Sequence, residues 1–373
     1  MRTRATGAVA VLALVGSGFA VTTTPAQATG ELCQGQPVTI SATARGQEIA
    51  GTDGADVIST AGFNQVVVLA SAGDDVVCAT TGRNALLLGG PGADSFAGGP
   101  TTKLSYYYSE SGVQIDLAAG TVVDGGETDT VSGIHTLTGS LWADTFVGGP
   151  GDDSYSSSGD HSATYDNDDD VRTGGGDDLV HIERGGTVDL GPGDDTALVA
   201  DGTIDGGTGD DVIAVVMSGA ANGGPGRDVL SGTVDAEDTR YPSEGDRFEL
   251  NGDGGRDLIY QPSGVLQGGY RCPTICGRAD VDGGTGRDTL SVRERGVVDL
   301  AAGRARTPRG RSHLISVENV VGSPRDDVIR GDSAANRLVG GGGNDVLLGR
   351  GGRDTAFGGP GRDRCGAEVR RSC

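Results

Sequence analysis

The chain has 373 residues, with 69 Gly, 52 acidic residues against 29 basic ones, and a formal net charge of -23. Gly and Asp, which supplies 41 of the acids, are poor helix formers common in turns, so a helical bundle is excluded. Collagen is excluded because Gly does not recur at every third position; aromatics at 4% are too few for one large core, and the charge disfavours nucleic acid and anionic membranes while favouring cations.

Residues 1–28 read as a secretory signal peptide. Arg2 and Arg4 precede an apolar run over 8–21, and Ala26-Gln27-Ala28 is a small-x-small cleavage site. The run is shorter than the roughly 20 residues a membrane span needs. Cleavage after Ala28 and release as a secreted, extracellular protein are expected, and no later stretch could span a bilayer. The mature chain keeps Cys33, Cys78, Cys272, Cys276, Cys365 and Cys373. An even count in an exported chain points to disulfides. Cys272 with Cys276 and Cys365 with Cys373 close local loops, which leaves Cys33 with Cys78. Zinc is disfavoured by the Cys spacings and by the absence of His beside any Cys pair.

From residue 51 onward one unit recurs: Gly-Gly-x-Gly-x-Asp-x-apolar. Clear copies end at Asp94, Asp153, Asp211, Asp228, Asp288, Asp345 and Asp363; weaker ones end at Asp56, Asp75, Asp144, Asp178, Asp195, Asp257, Asp327 and Asp354. Consecutive glycines permit a tight turn with positive φ and expose backbone carbonyls. The Asp offers a carboxylate into that turn, and the x-apolar pair starts a strand too short to stand alone.

The spacing of the aspartates indicates how the units stack. From Asp327 the step is nine residues, through Asn336, Asp345, Asp354 and Asp363. Earlier steps are 19 (Asp56, Asp75, Asp94) or 16 to 17 (Asp178, Asp195, Asp211, Asp228). These are about twice nine, which predicts an all-β solenoid, a parallel β-roll or β-helix, with coils of about 18 residues and loop insertions in the middle. Each coil has two strands and two turns. Asp178, Asp195, Asp211 and Asp228 are expected to share an edge, as are Asp327, Asp345 and Asp363, with Asp354 and Asn336 on the other. At about 4.8 Å per coil, some 19 coils give an upper length of about 90 Å. Residues 29–232 read as an N-terminal solenoid, 233–279 as an irregular insertion with one repeat, and 280–373 as a C-terminal roll.

Carboxylates stacked at strand spacing repel one another, so the column calls for a cation. Calcium suits it, taking six to eight oxygen ligands in flexible geometry. Magnesium prefers a rigid octahedron, and zinc prefers the His and Cys that the repeats lack. The candidate ligands are Asp56, Asp75, Asp94, Asp153, Asp178, Asp195, Asp211, Asp228, Asp257, Asp288, Asp327, Asp345, Asp354 and Asp363. The doubled residues Asp74, Asp152, Asp177, Asp194, Asp210 and Asp326 read as solvated charge that attracts cations.

The unit resembles the nonapeptide calcium-binding repeat of RTX (haemolysin-type) proteins. Residues 111–120 with 128–134, echoed by 297–303 and 315–319, are similar to a linker common between such repeats. The resemblance implies a right-handed parallel β-roll, with calcium held by the sixth-position Asp and by turn carbonyls of adjacent coils. Three units depart from the pattern. Asn336 replaces the Asp and Ala334 a turn glycine, so no metal is expected there, and Arg325 and Trp142 stand where turn glycines belong before Asp327 and Asp144. The N-terminal signal peptide also departs from the C-terminal export signal of RTX toxins and proteases.

No His-Glu-x-x-His or Gly-x-Ser-x-Gly motif is present, and His135, His161, His181 and His313 are scattered. The expectation is a non-catalytic, monomeric, secreted calcium-binding protein. Two alternatives stand beside it: a surface adhesin or carbohydrate-binding protein with a cell-wall or glycan partner, and a calcium-dependent polysaccharide lyase or epimerase. Residues 233–251 and 262–278, with Arg240, Tyr241, Arg247, Tyr260, Tyr270 and Arg271, are the place for a partner site if one exists. Tyr106-Tyr107-Tyr108 reads as strand core.

Overall fold

The computed structural model describes residues 30–157, 168–235, 247–265 and 277–373. The signal peptide, the Cys272–Cys276 pair and Arg240, Tyr241, Tyr270, Arg271 and His161 lie outside these residues. All secondary structure among the described residues is strand, mostly in three-residue pieces, and no helix there is long and apolar enough to cross a membrane.

The strands build two parallel ladders facing each other. The first begins at Glu48–Ala50, Val67–Leu69 and Leu86–Leu88 and runs unbroken to Val369–Arg371. Its sixteen strands at about 4.8 Å make a stack roughly 70 Å long, shorter than the upper estimate because loops consume residues. The second ladder alternates with the first along the chain, from Ile40–Ser41 and Val57–Ser59 to Arg364–Gly366.

Twice the second ladder is interrupted by a three-stranded antiparallel meander. Gln114–Asp116, Thr121–Asp124 and Glu127–Ser132 form the first, and Val297–Asp299, Arg304–Arg306 and Gly310–Ile315 the second. These are the two linker-like segments of the sequence. In each, the outer strands pair in parallel with the neighbouring coils, so the solenoid continues through. The described residues of 233–279 also supply strands to both ladders.

Side chains alternate along a strand, so each three-residue strand turns one residue inward. Val68, Leu87, Leu104, Leu137, Tyr155, Val180, Ile213, Leu230 and Ile259 stack on one side, facing Val77, Phe96, Phe146, Val171, Val188, Ile204 and Leu250. Two buried side chains per coil suffice to fill the core, which is why a chain with only 35% hydrophobic residues folds this way.

Disulfides hold both ends. Cys33 joins Cys78 (Cα–Cα 5.7 Å), and Cys365 joins Cys373 (5.9 Å), as the loop spacings anticipated. Cys33 also sits in a small cluster with Val38 and Val57, under the hairpin of Leu32–Cys33 and Gln36–Pro37. Terminal coils lack a neighbour on one side and are the weak points of a solenoid. Replacing Cys33 and Cys78 by Ser should cost about 2–4 kcal/mol. Denaturant melts would read this, with hydrogen exchange rising first in residues 30–60.

Candidate metal centre

The motif aspartates line up as hydrogen-bonded columns. In each, the backbone N–H of one Asp donates to Oδ1 of the Asp one coil further on. One column runs Asp56 to Asp75 to Asp94, at 2.8 and 2.9 Å. The longest runs Asp153, Asp178, Asp195, Asp211, Asp228, Asp257, Asp288, with every step between 2.7 and 2.9 Å. Asp327, Asp345 and Asp363 form a third, and Asn336 with Asp354 a fourth. The groupings expected from spacing therefore hold. The long column also passes through sequence steps of 25, 29 and 31 residues that no fixed period suggests.

The second carboxylate oxygen divides the turns into two kinds. In Asp75, Asp94, Asp178, Asp195, Asp211, Asp228, Asp257, Asp288, Asp345, Asp354 and Asp363 it is buried with no hydrogen-bond partner. In ten of these eleven, Asp94 excepted, the residue four positions earlier has a left-handed φ; examples are Gly207 (86°), Asp253 (61°) and Arg350 (72°). We term these open turns.

Asp56, Asp144, Asp153 and Asp327 instead receive the N–H of that earlier residue on Oδ2: Thr52 at 2.6 Å, Ser140 at 2.7 Å, Gly149 at 2.5 Å and Ser323 at 2.6 Å. Asn336 receives Asp332 N–H on its Oδ1 at 2.9 Å. None of these five earlier residues has a positive φ. We term these closed turns.

The closed turns of Asp56, Asp153, Asp327 and Asn336 are the first members of their columns, whereas Asp144 accepts Val113 N–H (2.8 Å) from the coil before it and donates its own N–H to Asp169 Oδ1 (2.9 Å). In several open turns the residue three before the Asp donates its N–H to a carbonyl of the preceding turn, as Thr208 does to Gly191 O (2.9 Å) and Gly342 to Ser323 O (3.0 Å).

Stacking of the turns requires glycine where backbones meet. A Cβ on Gly209 (φ 139°) would stand 1.7 Å from the Gly193 carbonyl oxygen, so no side chain fits between these coils. The same distances show that turn carbonyls of one coil point at the next.

Burial, and then the neighbouring carboxylates, push Asp75, Asp94, Asp195, Asp211, Asp228, Asp257 and Asp345 well above their usual range. Asp211 and Asp257 rise to about 7 and Asp195 and Asp345 to about 6, each by burial first and like charge second. A buried, unpartnered carboxylate oxygen is costly, and a hard cation ligated by oxygen removes that cost. Among the described residues no three His, Cys, Asp or Glu side chains converge on one point. The remaining ligands would therefore be turn carbonyls, which suits calcium and not zinc.

Elsewhere a tyrosine hydroxyl meets the same need. Tyr106 donates to Asp129 Oδ2 (2.8 Å), and the single Tyr155 hydroxyl proton is shared between Oδ2 of Asp144 and of Asp169 (3.1 Å each). Sequence reasoning missed Asp129 and Asp169. Asp129 continues the first column, accepting Asp94 N–H at 2.8 Å, but lies in the linker and carries no glycine signature. Of the three consecutive tyrosines only Tyr106 is core, and Tyr107 and Tyr108 are exposed.

The doubled aspartates are exposed, as expected, but they are not merely solvated. Asp152 accepts Asp177 N–H (3.0 Å), Asp177 accepts Asp194 N–H (3.0 Å), and Asp194 accepts Asp210 N–H (2.8 Å). This ladder has the opposite polarity to the motif column, so each Asp-Asp pair ties its coil to both neighbours.

Of the described histidines, His135 contacts Asp153 (2.8 Å) and His313 lies 3.6 Å from Asp280. Tyr260, a candidate partner residue, lies under the Arg293 guanidinium at 4.0 Å.

Residues 321–356 and 330–365 match the family model of the RTX calcium-binding nonapeptide repeat, four copies in each stretch. No curated protein matches the chain. Residues 321–365 are therefore RTX calcium-binding repeats, and the parallel roll they form is continuous with the rest of the described solenoid.

Proposed function

We propose that the chain is an extracellular, non-catalytic calcium-binding scaffold, in which calcium fills the open turns and stabilises the stacked coils. What supports this is the set of eleven buried Asp oxygens without a partner, repeated along columns of turns whose carbonyls face the next coil. Asp75, Asp94, Asp178, Asp195, Asp211, Asp228, Asp257, Asp288, Asp345, Asp354 and Asp363 would supply the carboxylates. The closed turns of Asp56, Asp153 and Asp327 satisfy their own oxygens and would act as metal-poor caps to the columns. A bound calcium would supply the positive charge that the stacked carboxylates lack. RTX repeat proteins are commonly exported, and the leader-like residues 1–28 agree with that setting.

Calcium titration of the stripped protein by calorimetry tests the proposal. Several ions per chain are expected, with a gain in β-type circular dichroism as they bind. Extracellular modules commonly bind at about 10⁻⁴ to 10⁻³ M. A stoichiometry of zero, or a spectrum and melting curve indifferent to calcium, overturns it.

A further inference from the structure

The charge of the chain is unevenly placed. Residues 278–373 hold 17 of the 29 basic residues and only 13 of the 52 acidic ones, a net positive segment in a chain of -23. Five of these basic residues, Arg278, Arg304, Arg306, Arg311 and Arg330, cluster on the outer face of the second ladder, at the second meander.

Register fixes the arrangement. Arg247 pairs with Arg278, Arg278 with Arg311, and Arg311 with Arg306 on four adjacent strands. All four side chains point outward and are exposed. Neighbouring strands are about 4.8 Å apart, so the row spans roughly 14 Å. Two residues along, Arg304 and Arg330 flank Asp299 in the next row.

Few of these charges are neutralised. Arg247 is paired with Asp280, and Asp299 is taken by both guanidinium nitrogens of Arg350 (2.7 and 2.8 Å). Arg278, Arg304, Arg306, Arg311 and Arg330 make no ion pair among the described residues. Together they line an open groove of about 1020 Å³. Like charges directly opposite on adjacent strands destabilise a sheet, just as the stacked aspartates do, and here the missing counter-charge is an anion.

We propose that this groove binds a linear anionic polysaccharide, a thin chain bearing carboxylate or sulfate groups at intervals. Guanidinium forks match such oxyanions two bonds at a time. A row of four along the ladder engages a repeating charge better than a single small anion. The strongly negative remainder of the molecule opposes any polyanion, and opposes duplex nucleic acid, with one charge per about 1.7 Å of axis, more than a chain with one or two charges per sugar. The proposal is independent of calcium in the turns.

The test is affinity electrophoresis and thermophoresis of the mature protein in millimolar calcium. The probes are polygalacturonate, dextran sulfate, neutral dextran and single-stranded DNA. Binding to polygalacturonate or dextran sulfate, falling with salt, and none to neutral dextran is expected; which of the two binds tells carboxylate from sulfate. The double variant Arg278→Glu/Arg311→Glu should lose at least tenfold in affinity with an unchanged circular dichroism spectrum, while Arg278→Lys/Arg311→Lys retains part of it. Calcium bridging to the acidic turns would leave the Glu variant binding as before, and that result overturns the proposal. So does a preference for DNA, failure to bind either acidic polymer, or salt-sensitive self-association of the protein alone that the Glu variant abolishes.

Discussion

The Asp211→Asn variant is expected to be more stable than the parent protein without calcium and less stable with it. Asp211 lies within the run of six open turns from Asp178 to Asp288. Its Oδ1 accepts Asp195 N–H at 2.9 Å, and its Oδ2 is buried without a partner. Asn keeps the acceptor, removes the charge and presents an NH₂ to the turn. Asn336, in a closed turn, shows that an amide can stand in a column: its Oδ1 takes Asp332 N–H (2.9 Å), and its Nδ2 donates to Glu318 O (3.0 Å). Relief of one unsatisfied buried oxygen is worth about 1–2 kcal/mol to the calcium-free fold. With calcium present the sign reverses, because a charged ligand is gone. One site filled at ten times its dissociation constant contributes roughly 1.4 kcal/mol, and loss of a shared carboxylate should weaken its neighbours as well. The control is Asp327→Asn in a closed turn, where Oδ2 holds Ser323 N–H (2.6 Å) and its hydroxyl (2.9 Å). That variant should lose about 1 kcal/mol with or without calcium. Urea melts of both variants in stripped and calcium-loaded form decide the matter. Equal destabilisation of Asp211→Asn in both states would show that its second oxygen needs no cation.

Much of this architecture is legible in the sequence because the turn is expensive to build. Gly209 cannot carry a side chain, so glycines mark most of the places where turns stack. Spacings of 16 to 19 residues then give the coil, and the nine-residue step after Asp327 gives two edges. The linkers are visible as segments, yet their meanders are not. Nothing in the residues 111–120 distinguishes a strand that joins its parallel neighbour directly from one that reaches it through a hairpin.

The open and closed turns are also hidden from the local sequence. Ser71 and Asp253 occupy the same turn position as Ser140 and Asp332, but the first two are left-handed and the latter two are not. Gly149, with a glycine's full freedom, lies in a closed turn. What four of the five closed turns share is their place at the start of a column, which is a property of the stack. Asp129 was invisible for a related reason: it joins a column through a partner 35 residues away.

Stability should respond to pH in opposite directions with and without calcium. In the calcium-free fold Asp94, Asp211 and Asp257 hold their protons up to about 7, and Asp75, Asp195, Asp228 and Asp345 up to about 6, chiefly through burial. Once unfolded, the same groups ionise near the ordinary 3.8. Between about pH 4 and 7 the folded state therefore binds more protons than the unfolded state, and stability falls as pH rises. Above that window both states are ionised, and the full cost of the buried charges remains. Asp299, held low by Arg350, and Glu368, held low by the Asp354 N–H, work in the opposite direction but are two groups against seven. Calcium competes with these protons, so its affinity should climb over the same interval. Thermal melts between pH 5 and 8 should show the stripped protein losing stability toward pH 8. The calcium-loaded protein should gain or hold level, and the two curves should converge near pH 5. Parallel curves would mean that the cation and the protons do not share the open-turn carboxylates, and the calcium would have to be placed elsewhere.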